Sequence, residues 1–271
     1  MKNEPFALCE QRTHLKLQTQ EHVQAGFTTR LGGESAPPYN EANYGLHVGD
    51  DEEKVLANRE RLADRLNLPL TRTVFAEQVH GNAVTKVAEN DGGRGAHSLH
   101  TVIPGTDGLY TSTKNLYLLT LFADCVPLYF FDRRQTLVGI AHAGWQGTAA
   151  NIGAEMVRRW VEVEYVSAED IEVIIGPSIG PETYEVDEKV VSALDKVLPS
   201  GKKPWKQTVT DRYTVDLKEA NALLLERAGI RRESMAISNA CTYTNQELFF
   251  SHRRAGGKTG RMLGYIGLNR E

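Results

Sequence analysis

The chain has 271 residues, 41% hydrophobic and 24% charged, with a formal net charge of −4 and a pI near 6.1. That is a globular composition with material for a large core, and it offers no basic field for nucleic acid. No run approaches the ~20 apolar residues of a membrane helix, and three cysteines far apart in sequence make no disulfide framework. The first residues, MKNEPFALCEQRTH, lack the apolar run of a signal peptide. A soluble protein of the cytoplasm, binding neither nucleic acid nor membrane, is the expectation.

Residues 1–25 are weakly patterned and suit one or two edge strands. A short β-type segment, Gly26-Phe27-Thr28-Thr29-Arg30, runs into a glycine turn at Gly32-Gly33. A long irregular loop, SAPPYNEANYGLHVGD, follows; loops of that length usually serve function. Asp50 or Asp51 can cap the next helix, Val55, Leu56, Leu62 and Leu66 trace one face, and Pro69 closes it. Thr73 to His80 and Ala83 to Val87 read as two strands about Gly81-Asn82, and residues 89–106 as a polar surface loop.

The stretch Leu116 to Asn151 organises the rest. It reads as an apolar strand, a polar break at Ala123-Asp124-Cys125, a second strand, a charged turn, and a third strand ending at His142. Apolar residues at helical spacing then predict a helix over 148–164. Beyond it the pattern predicts a strand at Ile171–Ile175, a rigid Gly-Pro loop over 176–181, a helix over 187–197 and a loop over 200–207. An Asp216-capped helix stopped by Gly229 comes next, then strands at 235–239, 249–254 and 265–268. Helices and strands do not alternate strictly and hairpins recur, so the reading is an α+β fold in a single domain, 1–271.

Cys125, His142 and His80 are the soft or borderline ligands nearest organised β-structure. Three such ligands with a fourth position open make a catalytic zinc pattern. Each also has a structural reading: a cysteine after an apolar strand is often a small buried hydrophobe, and a histidine beside glycines is often just hydrogen-bonded. The same Cys–His pair could serve as a thiolate nucleophile and its base, with Asp124 orienting one of them. From spacing alone these alternatives stay open. The deaminase signature H-x-E with P-C-x-x-C is missing, and so is a Walker A loop.

Seven segments sharpen the choice: GFTTRLGG, NYGLHVGD, EQVHG, ADCVPLYFFD, GIAHAGWQG, IGPSIGPETYEV and CTYTNQELFFSHRR, the last followed by TGRMLGYIGL. Together they resemble the polyphenol oxidase or laccase-domain family, whose members are recognised as purine nucleoside phosphorylases with adenosine deaminase activity. The resemblance runs from Gly26 to Leu268. It implies a mixed β-sandwich flanked by helices, related in shape to the deamidase domain of cytotoxic necrotising factor toxins. It further implies a metal, usually zinc, on His80, Cys125 and His142, and adenosine, inosine and methylthioadenosine as substrates with phosphate. That kinship also keeps a Cys–His hydrolase or amidase in view. Copper at the same ligands would make a phenol oxidase, but the chain has eight histidines and no H-x-H pair. The family's commoner HAGWRG stands here as HAGWQG, which removes a cation at Gln146.

Phosphorolysis needs a cation for phosphate, and Arg30, Arg253 and Arg254 are the candidates. His47 is the candidate general acid, Asn43 a partner for ribose or base, and Phe250 a stacking face for the purine. Each of these could equally be loop packing, a turn or core.

Overall fold

The computed structural model describes residues 4–19, 22–134 and 136–269. Two six-stranded sheets dominate, with strands and helices numbered in chain order. The first has the order β1 (Phe6–Leu8), β2 (His14–Leu17), β3 (Val23–Thr28), β15 (Met262–Leu268), β7 (Tyr117–Phe122), β4 (Thr73–Phe75). The second has the order β14 (Met235–Ile237), β10 (Ile171–Ile175), β8 (Val126–Asp132), β9 (Val138–Ala143), β6 (Gly108–Thr111), β5 (Val84–Lys86). Three short strands, β11 (Glu185–Val186), β13 (Arg212–Val215) and β12 (Trp205–Val209), form a small third sheet.

The two large sheets stack face to face. Phe27, Leu118, Phe122 and Ile266 of the first share one core with Leu109, Tyr129, Val138 and Ile140 of the second. Tyr129 reaches across and donates to the Gly26 carbonyl at 2.8 Å. Buried on both faces, β7, β8 and β9 carry the near-continuous apolar runs that such strands need. Truncating Phe122 to Ala would cost about 3–5 kcal/mol.

Helices cover the outer faces. α1 (Glu52–Leu66) lays Leu62 and Leu66 on Leu119, Leu121 and Leu263 of the first sheet. Asp51 caps it by accepting from the Glu53 N–H at 3.1 Å, and Asn67 ends it in the left-handed region. On the second sheet lie α2 (Trp145–Ala149), α3 (Ile152–Glu162), α4 (Glu188–Asp195) and α5 (Leu217–Arg227). The result is an α+β sandwich of two sheets between helical layers, as the sequence implies.

Four local expectations change. The strand expected over 73–80 ends at Phe75, because Gln78 and His80 take positive φ, 62° each. The helix expected over 148–164 is two helices, α2 and α3, divided where Asn151 takes φ 61°. Residues 200–207 are not all loop, since β12 begins at Trp205. Residues 249–254 form no strand; they turn, with the Arg253 and Arg254 N–H groups taken by side chains.

Candidate metal centre

Cys125 and His142 meet because β8 and β9 pair antiparallel. The ladder sets Val126 opposite Ala143 and Pro127 opposite His142, so the residue before β8 comes level with the end of β9. His80 arrives from the loop after β4. Gln78 clips that loop to β7, accepting from the Leu121 N–H at 2.7 Å and donating to the Leu121 carbonyl at 2.8 Å. The ligand atoms of His80, Cys125 and His142 lie within 4.8 Å of one another. The two imidazoles stand edge to face, 4.9 Å between centroids.

One fully buried carboxylate supports this arrangement. Asp107 Oδ1 lies 2.9 Å from His142 Nδ1 and accepts from the His80 N–H at 3.0 Å. Its Oδ2 accepts from the Val79 and Gly81 N–H groups, at 3.1 and 2.8 Å. Bonding at Nδ1 leaves His142 Nε2 for an ion. Gly144 completes the cradle: a Cβ there would sit 2.9 Å from the Cys125 sulfur.

Burial pushes the Cys125 thiol up, but the neighbouring His142, and hydrogen bonds with His142 and His80, outweigh it and bring the thiol down to about 6. Burial also works against a charged His142, yet the Cys125 thiolate and the Asp107 bond raise it above its ordinary value. The surroundings therefore favour the thiolate, the form that binds metal.

The residues present fit a metal ion. Ligand atoms on one tetrahedral zinc stand about 3.3–3.7 Å apart, so these three need to close by about 1.5 Å at most. One sulfur, two imidazole nitrogens and a vacant vertex form a set that suits zinc or copper.

A cavity of about 470 Å³ opens over this cluster, within the range of small-molecule sites. His47, Glu77, Trp145, Tyr184, Arg253 and Arg261 line it with the three ligands. A second buried carboxylate anchors this other side. Asp124, at φ 90°, accepts from Thr242 Oγ1 at 2.6 Å, Ser251 Oγ at 3.0 Å and the Arg253 N–H at 2.8 Å. It pins the loop that carries Arg253 and makes none of its hydrogen bonds to Cys125 or His142.

Of the residues singled out from sequence, His80, Cys125, His142, His47, Asp124 and Arg253 reach the cavity, and Arg30, Asn43, Phe250 and Arg254 do not line it. Arg30 donates to the carbonyls of Asn40 and Gln246 and stacks 4.8 Å over the Phe250 ring. Phe250 is core. Arg254 donates to the carbonyls of Thr242, Tyr243 and Phe249. Asn43 is fully buried, and its Oδ1 accepts from the Gly45 and Arg261 N–H groups. These four are framing residues: the two guanidinium groups are satisfied by backbone carbonyls, and Asn43 also donates to the Asp50 carboxylate at 2.9 Å. Asp124 likewise orients a loop rather than the Cys–His pair.

Sequence reading passed over Asp107, Arg261, Glu77 and Gln78. Arg261 stands in the quoted TGRMLGYIGL segment, two residues into which a cation could have been noticed. Asp107 gives no such signal, since its partners lie 26 to 35 residues away.

Residues 24–269 match the family described as multi-copper polyphenol oxidoreductase laccase. Over 251 residues the chain is 47% identical to purine nucleoside phosphorylase YlmD of Bacillus subtilis strain 168, covering 93% of this chain and 90% of that protein. YlmD of Geobacillus stearothermophilus, also named a purine nucleoside phosphorylase, is 49% identical over 248 residues, 91% of this chain and 90% of that one. The crystal structure of the Geobacillus YlmD superimposes with a TM-score of 0.96 at 46% identity, over 99% of this chain and 100% of that one. A Neisseria meningitidis protein, NMB0706, does so at 0.81 and 29% identity, over 95% and 100%. With one family matched across nearly its whole length, the chain belongs to the multi-copper polyphenol oxidoreductase laccase family.

Proposed function

We propose that the protein is a zinc-dependent purine nucleoside phosphorylase acting on adenosine, inosine and methylthioadenosine, with adenosine deamination as a second activity. The observation that carries this reading is the convergence of His80, Cys125 and His142 in one cavity that also presents Arg253 and Arg261. The names of the relatives supply the substrate class.

Zinc held by the three ligands would supply a Lewis acid with one open position, able to polarise a substrate oxygen or a water. The remaining work falls to the chain itself. Arg253 and Arg261 hold phosphate: Arg253 keeps the role expected of it from sequence, and Arg261 takes the place of Arg30 and Arg254. A phosphate oxygen forms its bond to ribose C1′ as the C1′–N9 bond breaks, and the purine leaves with the electron pair. Partial burial and the charges of Arg261 and Arg59 push the His47 imidazole below its ordinary value, so it is neutral at pH 7. It serves as a hydrogen-bond donor to the departing base. Trp145 and Tyr184 offer ring faces to the purine, a task for which Phe250 is too deep. Glu77 offers a carboxylate to the ribose hydroxyls.

The test is inosine with and without inorganic phosphate, following hypoxanthine and ribose 1-phosphate. Cleavage that requires phosphate is expected. Cleavage unaffected by phosphate, or no cleavage by the zinc-loaded protein, would overturn the reading.

Two other readings each rest on an observation. The family's description favours copper and phenol oxidation. Among the described residues, however, His80, Cys125 and His142 form the one group able to hold a metal, which leaves a multi-copper cluster without a second site. Secondly, Cys125, His142 and Asp107 follow one another as nucleophile, base and orienting carboxylate do in thiol hydrolases. A ligated thiolate is not free to attack, so rapid alkylation of Cys125 in a fully active, metal-free protein would favour that hydrolase.

A further inference from the structure

We infer that Asp107 is the positioning residue of the metal centre, fixing both imidazole ligands before an ion arrives. The inference rests on the metal reading above and goes beyond it, because Asp107 itself touches neither ion nor substrate.

Asp107 is fully buried, and all four groups on its carboxylate are nitrogens. Three are backbone N–H groups of Val79, His80 and Gly81, which together shape the turn that carries His80. That turn holds His80 at φ 62°, a conformation L-residues adopt only when something holds them there. The fourth is His142 Nδ1. A carboxylate only accepts, so Nδ1 must carry a proton, which makes Nε2 the nitrogen left to bind the ion. The Asp107 backbone adds a further bond, its carbonyl accepting from the His142 N–H at 2.8 Å. One residue thus sets the direction of His80 and the tautomer of His142.

The substitution Asp107→Asn keeps shape and volume and separates the two roles from mere packing. An amide has one accepting oxygen, and its NH2 must face one pair of these nitrogens. Facing His142 Nδ1, it imposes the Nε2–H tautomer and removes a ligand. Facing Val79 and Gly81, it meets two N–H donors and opens the turn beneath His80. Either orientation costs the centre one imidazole.

The experiment titrates metal-stripped wild-type protein and Asp107→Asn with cobalt(II). Thiolate-to-cobalt charge-transfer absorption reports Cys125, and the visible ligand-field bands report coordination number. Circular dichroism restricts the comparison to folded protein. Binding weakened by about 10–100-fold in the variant, with ligand-field bands that differ from the wild type's, is expected. Equal affinity with identical bands overturns this inference alone. A folded wild type that shows no charge-transfer band overturns the metal reading with it. Should the variant fail to fold, nitrogen-15 spectra of the zinc-loaded wild type decide: a proton on His142 Nδ1 upholds the inference, and one on Nε2 overturns it.

Discussion

The cavity has two sides, and each is anchored by one buried carboxylate of different character. Asp107 holds the metal side, where Cys125 and His142 stand at the ends of paired central strands. Asp124 holds the arginine side, made of loops. All four partners of Asp107 are nitrogens, three of them backbone donors that cannot turn. Two of the three partners of the Asp124 carboxylate are hydroxyls, Thr242 and Ser251, which can donate or accept. The first side is therefore built for one geometry and the second for adjustment. That division suits an ion that tolerates little displacement and an anion that tolerates more.

Removing the metal side has the largest expected effect. Cys125→Ala should lose zinc and at least about a thousandfold in kcat for inosine phosphorolysis, several kcal/mol of transition-state stabilisation. Zinc content and steady-state rates check it, with circular dichroism showing a native fold. The second effect is on Cys125 chemistry. In metal-stripped protein the thiolate, which is the reactive form, should persist as pH falls until about 6, against an ordinary 9. Alkylation rates measured from pH 5 to 10 should rise with a midpoint near 6, and zinc should suppress them.

The arginine side should give smaller effects of another kind. Arg261→Ala or Arg253→Ala should raise KM for phosphate about 10–100-fold, the worth of a charge-assisted hydrogen bond, and leave bound zinc unchanged. Asp124→Asn should be milder still, because the hydroxyls can reverse. A change below about tenfold in phosphate KM, with zinc affinity unaltered, is expected. A large loss of zinc from this variant would erase the contrast between the two carboxylates. Smallest of all in kinetics is Arg30→Ala. It should leave phosphate KM unchanged while lowering stability by about 1–3 kcal/mol in denaturant titration, through lost carbonyl bonds and the Phe250 stack.

The same contrast governs how much could be read from sequence. β7, β8 and β9 announce themselves, because strands buried on both faces must be apolar nearly throughout. Cys125 and His142 were legible as chain breaks at the ends of those runs. His80 was legible as a residue and not as a conformation, since its turn depends on a carboxylate 27 residues later. The break at Asn151 was hidden because the apolar spacing of Ile152, Met156 and Trp160 continues the helical pattern past α2. β12 was hidden for the opposite reason: Lys206, Gln207, Thr208 and Val209 are exposed and give no apolar alternation. Phe249 and Phe250 suggested a strand, yet they plug the core at the foot of a turn that Asp124 shapes from 125 residues or more away in sequence. Arginines misled most, because a guanidinium bound to carbonyls and one facing a cavity look alike in a sequence. Arg30 and Arg254 are the first kind, and Arg261 is a cavity residue that also caps its own turn.

The central claim is that one ion, held by three side chains from distant parts of the chain, serves phosphate-dependent cleavage of a purine nucleoside. Titrating metal-stripped protein with zinc, and measuring hypoxanthine release from inosine at each addition, tests it most directly. The rate should climb linearly to one zinc per chain, then level, and vanish without phosphate. Full activity before any zinc is added, or an undiminished rate in Cys125→Ala, would contradict it.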